Sequence, residues 1–179
     1  NINAEQFEYL QKYMDKITKK DVDIIIQLQK ELKESIGNGK GPFLAAVYDK
    51  DYNLIAKDQN TVVYENCSLN HAEINAIKRA EDILGTYNLA PYDLSIYVTS
   101  EPCVMCLGAI LWSGIKRLYY SVSSDDVEKI TGFDEGYKPD WIEQFNKRGI
   151  KVFPLILPEY GIEVLEKYVK EGGVIYKPE

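Results

Sequence analysis

A single histidine, His71, stands two positions before Glu73 in the string NHAEINAI, and further along the string EPCVMC carries Pro102, Cys103 and Cys106. Imidazole nitrogen and thiolate sulfur are donors that zinc takes in a tetrahedron. Two segments far apart in the chain must therefore meet at one point, which few chain paths allow. Cys103 and Cys106 are three positions apart, so both thiolates reach one ion from the first turn of a helix. That end of a helix carries partial positive charge, which favours thiolate over thiol. A Cys-x-x-Cys alone is ambiguous between a redox pair and a metal site; a redox pair gives His71 and Glu73 no task. Three protein ligands leave one position for water, the arrangement of catalytic rather than structural zinc.

The 179 residues suffice for one domain with a core of its own, and 45% hydrophobic with 27% charged residues is the balance of a globular chain. Residues 1–179 are therefore read as a single domain, with 1–20 as an N-terminal helical extension and 158–179 as a closing helix and tail. No apolar run is long enough to span a bilayer, and no basic segment followed by an apolar one marks the N-terminus. With three cysteines, too few for a disulfide framework, the expected location is the cytoplasm. Cys67, four positions before His71, is read as a small buried or loop thiol, because a fourth protein ligand would displace the water. A net charge of −7 with no basic stretch disfavours a polyanion and points to a small-molecule partner.

Residues 4 to 18 carry Phe7, Leu10, Met14 and Ile17 at helical spacing, an amphipathic helix laid on a core or a partner subunit. Thr18 with Asp21 is a capping arrangement opening a second helix that stops at Gly37. FLAAVYD and LIAKDQN pair as a hairpin across KDYN. A helix then runs from near His71 to Gly85. SIYVTS is a strand, CVMCLGAILW a helix, RLYYSVS a strand and SSDDVEKI a short helix. TGFDEGYKPD is irregular, KVFPLIL is a last strand broken or at an edge because of Pro154, and GIEVLEKYVKEGG closes the chain as a helix. Strands alternating with helices after a hairpin predict an α/β fold in three α-β-α layers, a mixed five-stranded sheet with helices on both faces. The two ligand segments would then begin neighbouring helices.

Zinc lowers the pKa of a bound water from about 15.7 to about 7. Glu73, near the ion without ligating it, suits a proton shuttle that also protonates a departing amine. The pattern His-x-Glu then Pro-Cys-x-x-Cys resembles the signature of zinc deaminases acting on nucleobases. With GPF at Gly41 to Phe43, Gln59-Asn60, TSEPCVMCLGAILW and TGFDEG, the chain resembles the cytidine deaminase-like superfamily, and within it the bacterial guanine deaminases. The matching stretches cover the central half of the chain.

The resemblance implies one zinc ion per chain on His71, Cys103 and Cys106. Glu73 and Glu135 are the implied catalytic carboxylates, Glu73 moving protons and Glu135 contacting the guanine edge, with Asp134 as its possible substitute. Asn60 and the backbone N–H of Ala72 would hold the base between the pocket walls Phe43 and Trp112. A C-terminal segment closes the site in the family, from the partner subunit of a dimer in some members. Here the tail VIYKPE would serve as the lid through Tyr176, and a homodimer is expected. There is also a chemical reason for Glu135. Guanine presents N1–H and its amine as donors, and an ionised carboxylate has two acceptors to meet them. Cytosine and adenine present an acceptor nitrogen there, which a carboxylate repels.

The expected reaction is hydrolysis of a free base, guanine to xanthine and ammonia. The alternatives are deamination of tRNA adenosine or of cytosine or cytidine. From another class stands a non-catalytic, zinc-stabilised binding module, which has no need of Glu73. Nucleic acid and membrane partners are not expected.

Overall fold

Side chains along the strands alternate between two apolar faces, and that alternation builds the layers. In this computed structural model, which describes residues 3–14, 16–137 and 140–178, five strands form one sheet: β1 (Leu44–Tyr48), β2 (Leu54–Gln59), β3 (Ser95–Ser100), β4 (Arg117–Val122) and β5 (Lys151–Phe153). Their order is β2-β1-β3-β4-β5. β1 runs antiparallel to β2 and β3, while β4 runs parallel to β3 and β5. Ala45, Val47, Ile96, Val98, Leu118 and Tyr120 face one layer, made by α3 (Ala72–Leu84), α4 (Val104–Ser113) and α6 (Trp141–Lys147). Leu44, Ala46, Tyr97, Tyr119 and Phe153 face the other, where α1 (Ala4–Tyr13), α2 (Lys19–Ser35) and α7 (Pro158–Lys170) lie. A smaller cluster joins α5 (Ser124–Thr131) to α7 through Val127, Leu165 and Tyr168. The expected three-layer mixed sheet is therefore present. Among the described residues no helix is long and apolar enough to cross a membrane.

The first helix is shorter than its apolar spacing predicts. It ends at Tyr13, and Lys16 has a positive φ of 70° before the next helix begins. The competing signal is the capping box: the Thr18 hydroxyl accepts from the Asp21 backbone N–H while the Asp21 carboxylate accepts from Thr18 N–H. A new helix must start there, so the chain turns between Met14 and Ile17. Leu10 and Ile17 still reach the same core. The helix α6 was not anticipated. It is 7 residues long, and its signal is Trp141 with Phe145 one turn on, too short a stretch for periodicity to register. Strand β5 stops at Phe153, directly before Pro154, as expected of a residue that cannot donate to a ladder.

Asp21 serves more than the cap. Only 1% exposed, it accepts from the Tyr97 hydroxyl at 2.6 Å. Tyr97 stacks on Tyr119, and Tyr119 on Phe153, each at 4.3 Å between ring centres. One carboxylate thus ties α2 to the centre of the sheet. Asp21→Ala would remove the carboxylate half of the capping box, which accepts from Thr18 N–H, and leave the Tyr97 hydroxyl without an acceptor in an apolar layer. The expected loss is about 3 kcal/mol of unfolding free energy, read as a lower urea midpoint with unchanged slope.

Candidate active site

The hairpin and the β3–α4 turn place the ligand segments at the same edge of the sheet, beyond the carboxyl ends of the parallel strands β3 and β4. That is the edge where open α/β sheets bind ligands. His71 is the N-cap of α3 and Cys103 the N-cap of α4, with Cys106 on the first turn behind it. Asn75 fixes the approach to His71. Its amide donates to Gln59 O at 3.0 Å and to Thr61 Oγ1 at 2.9 Å, drawing the loop after β2 against α3.

His71 Nδ1 lies 3.5 Å from Cys103 Sγ and 3.6 Å from Cys106 Sγ. All three ligand atoms lie within 4.8 Å of one another. A tetrahedral zinc with ordinary Zn–N and Zn–S lengths sets nitrogen and sulfur about 3.6 Å apart, so these donors fit the ion. Cys106 is buried, whereas His71 and Cys103 are half-buried and line a cavity of about 560 Å³, which leaves one side of the group open. Cys67 also lines the cavity but stands outside the ligand group, as expected of a loop thiol.

The thiols share one proton unequally. The hydrogen bond from Cys106, aided by His71, draws Cys103 down to about 4, while the same bond and burial push Cys106 well above the usual thiol range. Burial pulls His71 down, but the Cys103 thiolate outweighs it and the net shift is upward. The N-termini of α3 and α4 both face this negative charge. Glu73, on the first turn of α3, is 5% exposed and faces the same cavity. Burial is the main cause that pushes its carboxyl up to about 7, with the nearby Cys103 charge adding and His71 opposing.

The remaining expected residues divide. Asn60 is buried; its Oδ1 accepts from Val62 N–H at 3.1 Å and its amide donates to the Tyr176 hydroxyl at 2.7 Å. Gly41 is required beside it, since a Cβ there would stand 2.6 Å from Asn60 Oδ1. Phe43 lines the cavity edge-on to Phe133, 5.4 Å between ring centres, and Phe133 in turn meets Tyr176 at 4.9 Å. The tail thus lies over its own chain's site, with the Tyr176 ring 6.4 Å from His71. Asp134 and Glu135 both line the cavity, the first exposed and the second half-buried. Ala72 is buried as the first residue of α3, where the leading N–H groups have no partner within the helix.

Trp112 corrects the sequence reading. It is 90% exposed and does not line the cavity. The buried face of α4 runs through Cys106, Ile110 and Ser113, and Trp112 falls on the opposite side of the helix. The aromatic residue that joins Phe43 in the cavity wall is Phe133, which sequence reading missed although it lies inside the GFDEG string. Glu101, directly before Pro102, was also missed as a site residue and lines the cavity.

A family model described as MafB19-like deaminase matches residues 19–146. The chain belongs to the MafB19-like deaminases. The guanine deaminase of Bacillus subtilis (strain 168) is 36% identical over 128 residues, covering 71% of this chain and 80% of that protein. The crystal structure of NE0047 in complex with 2,6-diaminopurine superposes with a TM-score of 0.82 at 35% identity, covering 95% of this chain and 93% of that one. A tRNA-specific adenosine deaminase of Streptococcus pyogenes serotype M1 is 30% identical over 143 residues, 80% of each chain. The cytidine deaminase-like fold, read from NHAEINAI and EPCVMC, and the resemblance to bacterial guanine deaminases, read from GFDEG, both hold.

Proposed function

We propose that this deaminase hydrolyses the amino group of a free purine, guanine before other bases, with one zinc ion held by His71, Cys103 and Cys106. The observation that carries the substrate choice is the pairing of two acids on one cavity. Glu73 stands beside the ligand group, and Glu135 lines the same cavity together with Asn60 and Phe43. Glu135 matches the N1–H edge of guanine. The likeness to a guanine deaminase, and to a structure holding 2,6-diaminopurine, supports the same choice.

When bound, zinc would supply a polarised water that ionises near neutral pH. The chain's own residues do the rest. Glu73, its carboxyl pushed upward by burial, takes a proton from the attacking water and returns it to the departing amine, so that ammonia and not amide ion leaves. Asn60 offers an amide donor to the ring once Tyr176 yields it. Phe43 and Phe133, packed edge to face on each other, form one apolar wall for the ring. The tail carrying Tyr176 acts as a lid that excludes water. Assembly as a homodimer belongs to the same proposal, and a monomer mass by light scattering at micromolar concentration counts against it.

The test is ammonia release by zinc-loaded protein from guanine, adenine, cytosine and cytidine, with a tRNA gel shift at low salt beside it. Guanine should be the preferred base. Glu135→Gln should lower guanine kcat/KM by about 10²-fold, because an amide donor then faces a donor. Turnover confined to cytosine or cytidine, or tight tRNA binding with no free-base turnover, removes the guanine reading.

A further inference from the structure

The carboxylate of Glu101 accepts three hydrogen bonds from two partners, one at each end of the segment that carries Glu135. Oε1 accepts from the Ser124 backbone N–H at 3.0 Å and from Ser124 Oγ at 3.1 Å, at the first residue of α5. Oε2 accepts from Trp141 Nε1 at 2.9 Å, at the first residue of α6. The Glu101 backbone N–H donates to Val122 O at 2.7 Å, which extends the pairing of β3 with β4 up to the metal loop. Ser124 and Trp141 are both buried, and Trp141 packs against Tyr120 and Phe145. A buried donor deprived of its acceptor is costly, so neither partner lets go freely.

Between α5 and α6 runs the segment that shapes the far wall of the cavity. Its first half is fixed from α5. Thr131 Oγ1 accepts from the Phe133 backbone N–H at 3.0 Å and donates to Val127 O at 2.6 Å. Phe133 then meets Phe43 and Tyr176, and Asp134 and Glu135 line the cavity beside it. Glu101 itself stands two residues before Cys103. A single side chain therefore joins the start of the metal loop to both helices that frame the substrate wall.

We propose that Glu101 is a positioning residue that sets the distance between the metal group and the wall carrying Phe133 and Glu135. Its role is carried by geometry: it holds α5 and α6 against the β3–α4 turn and touches no reacting atom. The kinetic consequence rests on the purine reading given above, whereas the mechanical consequence does not.

The test uses the zinc-loaded protein. Glu101→Gln keeps the size of the side chain but turns an amide N–H towards one of its donors. Amide exchange over residues 131–137 should quicken by about tenfold or more, and KM for guanine should rise by a similar factor with zinc content unchanged. Trp141→Phe removes the opposing N–H, so the double variant should recover at least about fivefold in kcat/KM over Glu101→Gln, where independent packing losses would add instead. If Trp141→Phe fails to fold, Glu101→Asp must show the same faster exchange, being one methylene too short to hold both partners. Unchanged exchange in Glu101→Gln overturns the proposal, as does a double variant no better than the single. Loss of zinc in step with activity, with exchange unaltered, overturns it too. Faster exchange in a protein whose wild type never deaminates guanine leaves the clamp standing and removes the substrate reading instead.

Discussion

Glu73→Gln is expected to lower kcat for guanine by about 10³-fold and, in chelator-treated protein, to raise stability above neutral pH. The two effects have one cause. Glu73 is buried at the mouth of α3, and burial pushes its carboxyl up to about 7 from an ordinary 4.5. In the native state it therefore holds its proton over a range where the unfolded chain has released it. Between those two values the native state binds more protons than the unfolded state, so stability falls as pH rises. The penalty is absent below about pH 4.5 and complete above about pH 7, where the shift amounts to about 3 kcal/mol. Glutamine has the shape of the neutral acid and cannot ionise, so it escapes the penalty. Urea midpoints of chelated wild type and variant should coincide near pH 4.5 and separate at pH 8, the variant being the more stable. A variant less stable at pH 8 would show that the carboxylate is stabilised where it sits, and that Glu73 is not poised to exchange a proton near neutrality. The same burial that costs stability keeps the group's affinity for a proton near the working pH, which is what a shuttle needs.

What the sequence made legible follows from how local each cause is. His71, Cys103 and Cys106 are identified by chemical type and spacing, and the structure brings them to one point at 3.5 and 3.6 Å. The Thr18–Asp21 box is a matter of four residues and was readable. It also explains the error beside it, since the apolar spacing from Phe7 to Ile17 runs through a turn that the box imposes. Trp112 was misplaced because membership of a motif does not say which side of a helix faces the site; only the packing of Leu107 and Ile110 against the core fixes the rotation. Glu101 sits inside the same motif, yet its partners Ser124 and Trp141 lie 23 and 40 positions away. Nothing local announces bonds of that length. Tyr176 was reachable only through likeness to a family, for its partner Asn60 is 116 positions distant.

Cys106→Ala is expected to empty the metal group while leaving the fold in place. Cys106 is the innermost of the three donors and the only one fully buried among them. Two remaining donors, one of them the half-exposed Cys103, do not complete a tetrahedral site, and zinc content after dialysis should fall well below stoichiometry. Guanine turnover should drop by at least about 10³-fold with the chemistry the ion supplies. The fold stands on other terms. The two faces of the sheet carry separate apolar cores, one built on α3, α4 and α6 and the other on α1, α2 and α7, and the ligands lie at their rim. A zinc finger has no such cores and unfolds when its metal is removed, as structural zinc is worth about 10–16 kcal/mol to it. Here circular dichroism should report a folded protein for Cys106→Ala and for chelated wild type alike, with a cooperative thermal transition in each. Collapse of the fold on chelation is the opposite result. It would mean that the ion holds the chain together, the behaviour of a zinc-stabilised binding module, and Glu73 would then be a buried acid with no proton to move.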